Sequence, residues 1–241
     1  MSTPDTSRVL SIVIPAFNEE RFIGTLLKQI KAVDLSGLGI EKDIIVVDDC
    51  SRDRTAEIVA GEPGVRLRRM ERNGGKGRAV RAGIELASGD YLIIQDADLE
   101  YDPGDYVPML RALLAGEGDV VYGSRYLRRG KHANQSWAAY LGGRSLSLIA
   151  LAVTGRYLTD TVTALKLFKR TDIASLPLET SGFELDHEIT SRMLARGARI
   201  VEVPISYSPR SREEGKKIGM RDWFIGARTF WRYRRGSRET T

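Results

Sequence analysis

Apolar positions along the chain fall into short continuous runs separated by helical stripes. Val9 to Ile14 is an apolar run stopped by Pro15; beyond it, Asn18-Glu19-Glu20 leads into Phe22, Ile23, Leu26, Leu27 and Ile30, which share one helical face. Asp43 to Val47 reads as a second strand closed by Asp48-Asp49, and Ser51 or Asp53 is placed to cap a helix from Thr55 to Ala60. In Val65 to Met70, arginines alternate with apolar residues, which predicts a strand towards the edge of a sheet. Asn73-Gly74-Gly75-Lys76-Gly77 is a turn signal, followed by a helix through Ala87 and a strand from Asp90 to Gln95. Strand and helix alternate at a spacing suited to right-handed crossovers. This predicts an α/β fold, a mainly parallel central sheet flanked by helices. Beyond Pro103 come a helix (Tyr106 to Leu114), a strand (Asp119 to Tyr122), a basic segment from Arg128 to His132, and a long apolar helix from Trp137 to Val153.

Ligands of parallel α/β sheets bind beyond the carboxyl ends of the strands. Three unusual stretches gather there: Pro15-Ala16-Phe17-Asn18-Glu19, Asp48-Asp49 and Asp96-Ala97-Asp98. If the chain stays extended, Asp96, Asp98 and Glu100 share one side by the period of two. Adjacent carboxylates repel unless a cation sits between them. The run therefore reads as a platform for Mg2+ or Mn2+, which favour oxygen ligands and join a few carboxylates to substrate phosphates.

The 241 residues carry a net charge of +5. Such a charge suits any phosphate-bearing partner, anionic lipid included. Zinc-ligand spacing and an RNP-like aromatic strand are both lacking, so nucleic acid is not the expected partner. The single cysteine, Cys50, excludes an internal disulfide framework and reads as a small residue at a strand end. Residues 1–8 read as a flexible polar tail without the apolar core of a signal peptide. No run approaches the roughly 20 apolar residues of a membrane span; the nearest, Leu141 to Val153, contains Arg144. A cytoplasmic protein is expected. Near the C-terminus, Met220, Trp223, Phe224, Ala227, Phe230 and Trp231 form one helical stripe, with Arg221, Arg228, Arg232 and Arg235 largely elsewhere. That stripe suits a helix in the headgroup region of an anionic membrane, or one packed on the core or another subunit. The organisation expected is one domain over 9–218 and an amphipathic helix over 219–241.

The motifs stand in a familiar order. Ile12-Val13-Ile14-Pro15-Ala16-Phe17-Asn18-Glu19-Glu20, Val47-Asp48-Asp49, Asn73-Gly74-Gly75-Lys76-Gly77 and Gln95-Asp96-Ala97-Asp98 resemble the family 2 glycosyltransferases of the GT-A fold, the Rossmann-like fold of nucleotide-diphospho-sugar transferases. Within that family the chain is similar to the dolichyl- and polyprenyl-phosphate mannosyl- and glucosyltransferases. Gly123-Ser124-Arg125, Asp160 to Phe168, Phe183 to Glu188, and Val203 to Tyr207 with Arg210 and Glu214 to Lys217 extend the likeness. The resemblance implies that Pro15, Phe17, Glu19 and Asp48 line the base and ribose pocket, with Lys76 near the nucleotide. It implies that Asp96 and Asp98, with Glu100 in the third position, hold the metal and diphosphate, and that Arg125, Arg210 and Lys216 grip phosphates. Two departures stand out. Ala139 falls where polyprenyl-phosphate mannosyltransferases usually carry an extra Arg, with Arg144 a few residues on, and the C-terminal transmembrane helices of many relatives are missing.

The reaction so implied moves a hexose, mannose or glucose, from GDP-mannose or UDP-glucose to a polyprenyl phosphate, with inversion, at the cytoplasmic face of the membrane. A metal and cations facing the departing diphosphate lower the barrier most. A lipid phosphate is already an anion and needs no base, whereas a hydroxyl acceptor on a lipid or glycan needs one. Asp186 is then the base, with Glu188 in reserve; both also read simply as acids in an exposed first helical turn. His132 and His187 are not expected to be catalytic. A further alternative is a nucleotide- or nucleic-acid-binding module without turnover.

Overall fold

The computed structural model describes residues 8–127, 137–209 and 220–234. The polar tail up to Ser7, Arg128 to His132, Arg210, Lys216 and Arg235 lie outside the described residues, as do the side chains of Ala139, Met220 and Arg221.

Strands β1 (Arg8–Ala16), β2 (Ile40–Asp48), β3 (Val65–Arg69) and β4 (Tyr91–Ile94) alternate with helices α1 (Ile23–Ala32), α2 (Thr55–Ala60) and α3 (Lys76–Leu86), as the apolar pattern predicts. Then come α4 (Tyr106–Leu114), β5 (Val120–Ser124), α5 (Trp137–Thr154), β6 (Lys166–Lys169), α6 (Arg170–Ala174), α7 (Leu185–Ala195), β7 (Ile200–Pro204) and α8 (Met220–Tyr233). Seven strands form one sheet in the order β3-β2-β1-β4-β6-β5-β7, with Arg-rich β3 at an edge as expected. The pairings of β1 with β2 and β4, of β2 with β3, and of β5 with β7 are parallel, while β6 runs antiparallel to β4 and β5. The sheet is therefore mainly parallel and flanked by helices, the α/β fold that the pattern predicts.

Both faces of the sheet are covered, as parallel strands require. Leu10, Ile12 and Ile14 of β1 pack with α1 and α4 on one face. Val13, with Ile45, Val47, Leu92 and Ile94, packs with α3 and α7 on the other. The alternation of β1 between two cores is the period of two made physical.

Strand β4 stops at Ile94, opposite Val13, so the next residues are not strand. Gln95 still donates its amide to the Val13 carbonyl at 3.0 Å. The chain then turns, with Leu99 at φ 60°. Among the described residues two other non-glycine positions have positive φ, Asn18 at 56° and Cys50 at 63°, and they lie just past β1 and β2. All three sit at the carboxyl edge, where strained backbone accompanies sites.

The C-terminal aromatic stripe divides between two fates. Helix α8 packs against α5 and α7. Phe230 is buried against the His187 ring at 5.0 Å, and Trp223 donates from Nε1 to Ser145 Oγ at 2.9 Å. Phe224, Ile225 and Trp231 stay exposed, as do Trp137, Leu141 and Leu148 of α5.

Candidate active site

The loops beyond β1 and β2 are laced together. Asn18 N donates to Ser51 Oγ (2.9 Å), Arg52 N to Asn18 Oδ1 (2.9 Å) and Glu19 N to Thr55 Oγ1 (2.8 Å). Asp53, one of the two expected caps, accepts Thr55 N at 3.0 Å, while Ser51 serves the β1 loop instead. Pro15 is buried in β1, and Phe17 and Glu19 are half-buried at its mouth. Asp48 is fully buried; its carboxylate accepts Ser51 N at 3.3 Å and meets Arg69 Nε at 3.3 Å. Arg69 also donates to the Ser51 carbonyl at 3.1 Å, a basic side chain at this pocket that sequence reasoning gave no role.

Asp49 holds the glycine turn, accepting the amides of Gly74 (2.8 Å) and Gly75 (2.7 Å). Gly75 has φ 89°, and a Cβ there would lie 2.6 Å from the Ser181 carbonyl oxygen. Only glycine fits both demands. The loop it touches is fixed by Glu188, which is fully buried and accepts the amides of Glu179 and Thr180, the Thr180 hydroxyl and Arg192 Nε. With those partners Glu188 ties down this loop, so the reserve role as base does not match its surroundings, nor does an exposed helical turn.

The tightly fixed turn starts α3 and aims Lys76 into the site. Its Nζ lies 2.8 Å from Asp96 Oδ1 and 3.2 Å from Asp186 Oδ2. Asp186 Oδ1 in turn meets Lys166 Nζ at 2.8 Å, and Lys166, with none of its side chain exposed, also donates to the Thr163 carbonyl. Burial alone pushes the Asp186 carboxyl up, but the Lys166 and Lys76 ammoniums together outweigh it and hold it at about 2. Burial would likewise lower Lys76, yet Asp186 and Asp96 raise it above the ordinary lysine range. Burial also lowers Lys166, with Asp186 opposing. Lys166 escaped sequence reasoning although a signal was present: a lone charge inside Ala164-Leu165-Lys166-Leu167-Phe168 must find a buried partner.

The expected three-carboxylate platform does not assemble. Among the described residues no three His, Cys, Asp or Glu side chains converge to hold a metal ion. The physical reason is the turn after Ile94: without extended backbone the period of two no longer aligns Asp96, Asp98 and Glu100. Glu100 Oε2 instead accepts the Tyr207 hydroxyl at 2.7 Å, and its amide donates to Asp98 Oδ1 at 3.1 Å. Asp96 and Asp98 remain half-buried at the lip. Two such oxygen donors fit a Mg2+ or Mn2+ ion that takes its other ligands from water and a diphosphate.

Arg125 is also engaged within the protein. Its Nε and Nη2 donate to the buried carboxylate of Asp160 at 2.6 and 2.8 Å, and its guanidinium lies 5.1 Å from the Tyr207 ring centre. Glu202 fixes this corner by accepting Thr159 N (2.7 Å) and Asp160 N (2.8 Å). Arg144, from α5, donates to the Thr159 carbonyl at 3.2 Å and sits 5.5 Å from the Tyr126 ring centre, with Arg125 5.6 Å from the same ring. The site thus joins Lys76, Asp96, Asp186 and Lys166 directly, with Arg125 and Arg144 grouped around Tyr126.

Comparison with known proteins places the chain in a family. The model for "Glycosyl transferase family 2" matches residues 11–174. The chain is 31% identical over 218 residues to the dolichol-phosphate mannosyltransferase of Pyrococcus furiosus, covering 87% of this chain and 59% of that protein. It is 35% identical over 184 residues to the dodecaprenyl-phosphate galacturonate synthase of Rhizobium johnstonii, covering 73% of this chain and 52% of that one. The chain therefore spans between half and two thirds of these two relatives. A crystal structure of glucosyl-3-phosphoglycerate synthase from Mycobacterium tuberculosis, in complex with Mn2+, UDP-glucose and phosphoglyceric acid, shares the fold with a TM-score of 0.70 at 20% identity, covering 95% of this chain and 80% of that one. On the extent of the family match and the identity to these relatives, the chain belongs to glycosyl transferase family 2.

Proposed function

We propose that the chain is a metal-dependent, inverting hexosyltransferase that carries mannose or glucose from GDP-mannose or UDP-glucose to a polyprenyl phosphate. The observation that carries the acceptor class is the pairing of Asp186 with two lysines. A carboxylate held at about 2 is a weak acceptor of protons, and general-base catalysis works best with a base poised near the working pH. A hydroxyl acceptor would need such a base; a phosphate acceptor needs none. The second reading, with Asp186 as base, is disfavoured on that ground.

In this reading Phe17, Glu19 and Asp48 bound the nucleoside pocket, and Asp96 and Asp98 are the residues that would hold Mg2+ or Mn2+. The metal supplies Lewis-acid stabilisation of the charge on the departing diphosphate. Lys76 adds a fixed cation beside it, preorganised by Asp186. A phosphate oxygen of the acceptor forms the new bond to the anomeric carbon as the bond to the diphosphate oxygen breaks on the opposite face, and the diphosphate leaves with the electron pair. Arg125, Arg210 and Lys216, with Arg144 beside the same Tyr126 ring as Arg125, are the cations assigned to the phosphates. The exposed aromatic residues of α5 and α8, with exposed Arg228 and Arg232 on α8, support peripheral binding to anionic membrane; the cytoplasmic face is part of the proposal. No helix among the described residues is long and apolar enough to cross a membrane.

The test is release of GDP or UDP from each donor, with Mn2+, Mg2+ or EDTA, offered undecaprenyl phosphate or the matching alcohol. Metal-dependent transfer to the phosphate alone is the expected result. Transfer to the alcohol would favour a hydroxyl acceptor, and binding of nucleotides without any turnover would favour a binding module.

A further inference from the structure

Asp96, Lys76, Asp186 and Lys166 form an unbroken row of alternating charge, with contacts of 2.8, 3.2 and 2.8 Å. Two carboxylates and two ammoniums balance, so Asp96 already has a counter-ion. The site reading above assigns the same carboxylate to a divalent cation, and the following inference rests on that reading. We infer that Lys76 is a resident counter-ion that keeps a free divalent cation off Asp96 and gives up the carboxylate only when a nucleotide diphosphate arrives with the metal.

Three features support this. Lys76 cannot drift away from the site: its turn is fixed by Asp49 and the Ser181 loop, and only 13% of its side chain is exposed. A doubly charged ion on Asp96 beside that ammonium would meet a like charge where screening by water is weak. A diphosphate reverses the balance, since it brings several negative charges and fresh oxygen partners for Nζ. Asp186 keeps its hold on Lys76 throughout, because Lys166 anchors Asp186 from below. Asp186 is then a positioning residue for Lys76.

The measurement is Mn2+ binding to the whole chain, read from the electron paramagnetic resonance signal of free Mn2+, with and without UDP or GDP. Wild type should bind Mn2+ weakly alone and at least about tenfold more tightly with the diphosphate it accepts. Lys76→Met should bind Mn2+ alone roughly tenfold more tightly than wild type, and bind the diphosphate more weakly. Lys76→Arg should resemble wild type. Arg78→Met, which removes a charge two residues on that packs over Gly74, should also leave Mn2+ binding unchanged. If near-UV circular dichroism shows Lys76→Met unfolded, Lys76→Gln takes its place. Unchanged or weaker Mn2+ binding in the folded Lys76 variant overturns the inference, as does equal tightening in Arg78→Met. If neither diphosphate strengthens Mn2+ binding by wild type, the donor-site reading itself fails, which is a separate outcome.

Discussion

Lys166 lies directly beneath Asp186, its Nζ 2.8 Å from Oδ1 and its side chain wholly out of solvent. The contact belongs to a helix that is polar yet buried, since Leu185 to Met193 of α7 are buried without exception. Asp186 and Glu188 go inward because Lys166 and Arg192 are there to meet them. Buried charges persist only when paired in this way.

Removing that partner should be severe. Lys166→Met keeps the stem but leaves Asp186 short of one cation, and a loss of about 3–5 kcal/mol is expected. Adding Asp186→Asn should restore part of it. Urea unfolding of the single and double variants measures both; a loss under about 1 kcal/mol in the single variant would mean the pair does not anchor α7.

Acid should destabilise the protein in two windows. Burial holds the His187 imidazole at about 4 against an ordinary 6.5, with Asp186 pulling weakly the other way. The unfolded chain therefore binds this proton first, so stability is full above 6.5 and falls as pH drops towards 4. The span corresponds to about 3 kcal/mol. Asp186, held at about 2 against 3.8, contributes stability that is present above 3.8 and lost as pH falls towards 2. Neither His187 ring nitrogen is hydrogen-bonded among the described residues. His187→Leu should therefore erase the first window, leave the second, and be neutral or stabilising at pH 7. Stability curves from pH 7.5 to 2 decide it; an unchanged first window would assign it to another group.

Two adjacent glycines should respond differently. Gly75→Ala forces a left-handed alanine against the Ser181 carbonyl and should lose at least about 2 kcal/mol, together with nucleotide affinity. At Gly74 the nearest atoms to an added carbon belong to the flexible Arg78 side chain, 2.3 Å away at its Cδ. Gly74→Ala should stay within about 1 kcal/mol. Thermal melts with nucleotide titration compare the two.

The neighbours Phe230 and Trp231 should separate packing from surface binding. Phe230 has no exposed surface, whereas Trp231 is 60% exposed. Phe230→Ala should lose about 3–5 kcal/mol. Trp231→Ala, combined with Phe224→Ala, should leave the melting temperature nearly unchanged and weaken sedimentation with anionic vesicles. Undiminished vesicle binding by the double variant would remove α8 from the membrane proposal.

What the chain determined by itself was local and periodic. The apolar runs of β1, β2 and β4 and the stripes of α1 and α3 specify alternating elements whatever surrounds them, because a strand or helix of that pattern must bury one or both faces. Asn73-Gly74-Gly75 specifies a turn for the same kind of reason. Tertiary structure decided everything that depends on where one turn ends and what another element brings to it. The carboxylates after β4 looked like a three-ligand row only while the backbone was taken as extended; the chain turns at Leu99, and Tyr207 claims Glu100. Nothing along the chain announced that β6 would place Lys166 against Asp186. Short β6 carries too little pattern to be read in advance, and charges 20 residues apart along the chain leave no periodic trace of their meeting. Periodicity records which face a residue takes, whereas pairing between distant charges is settled only when the sheet brings them together.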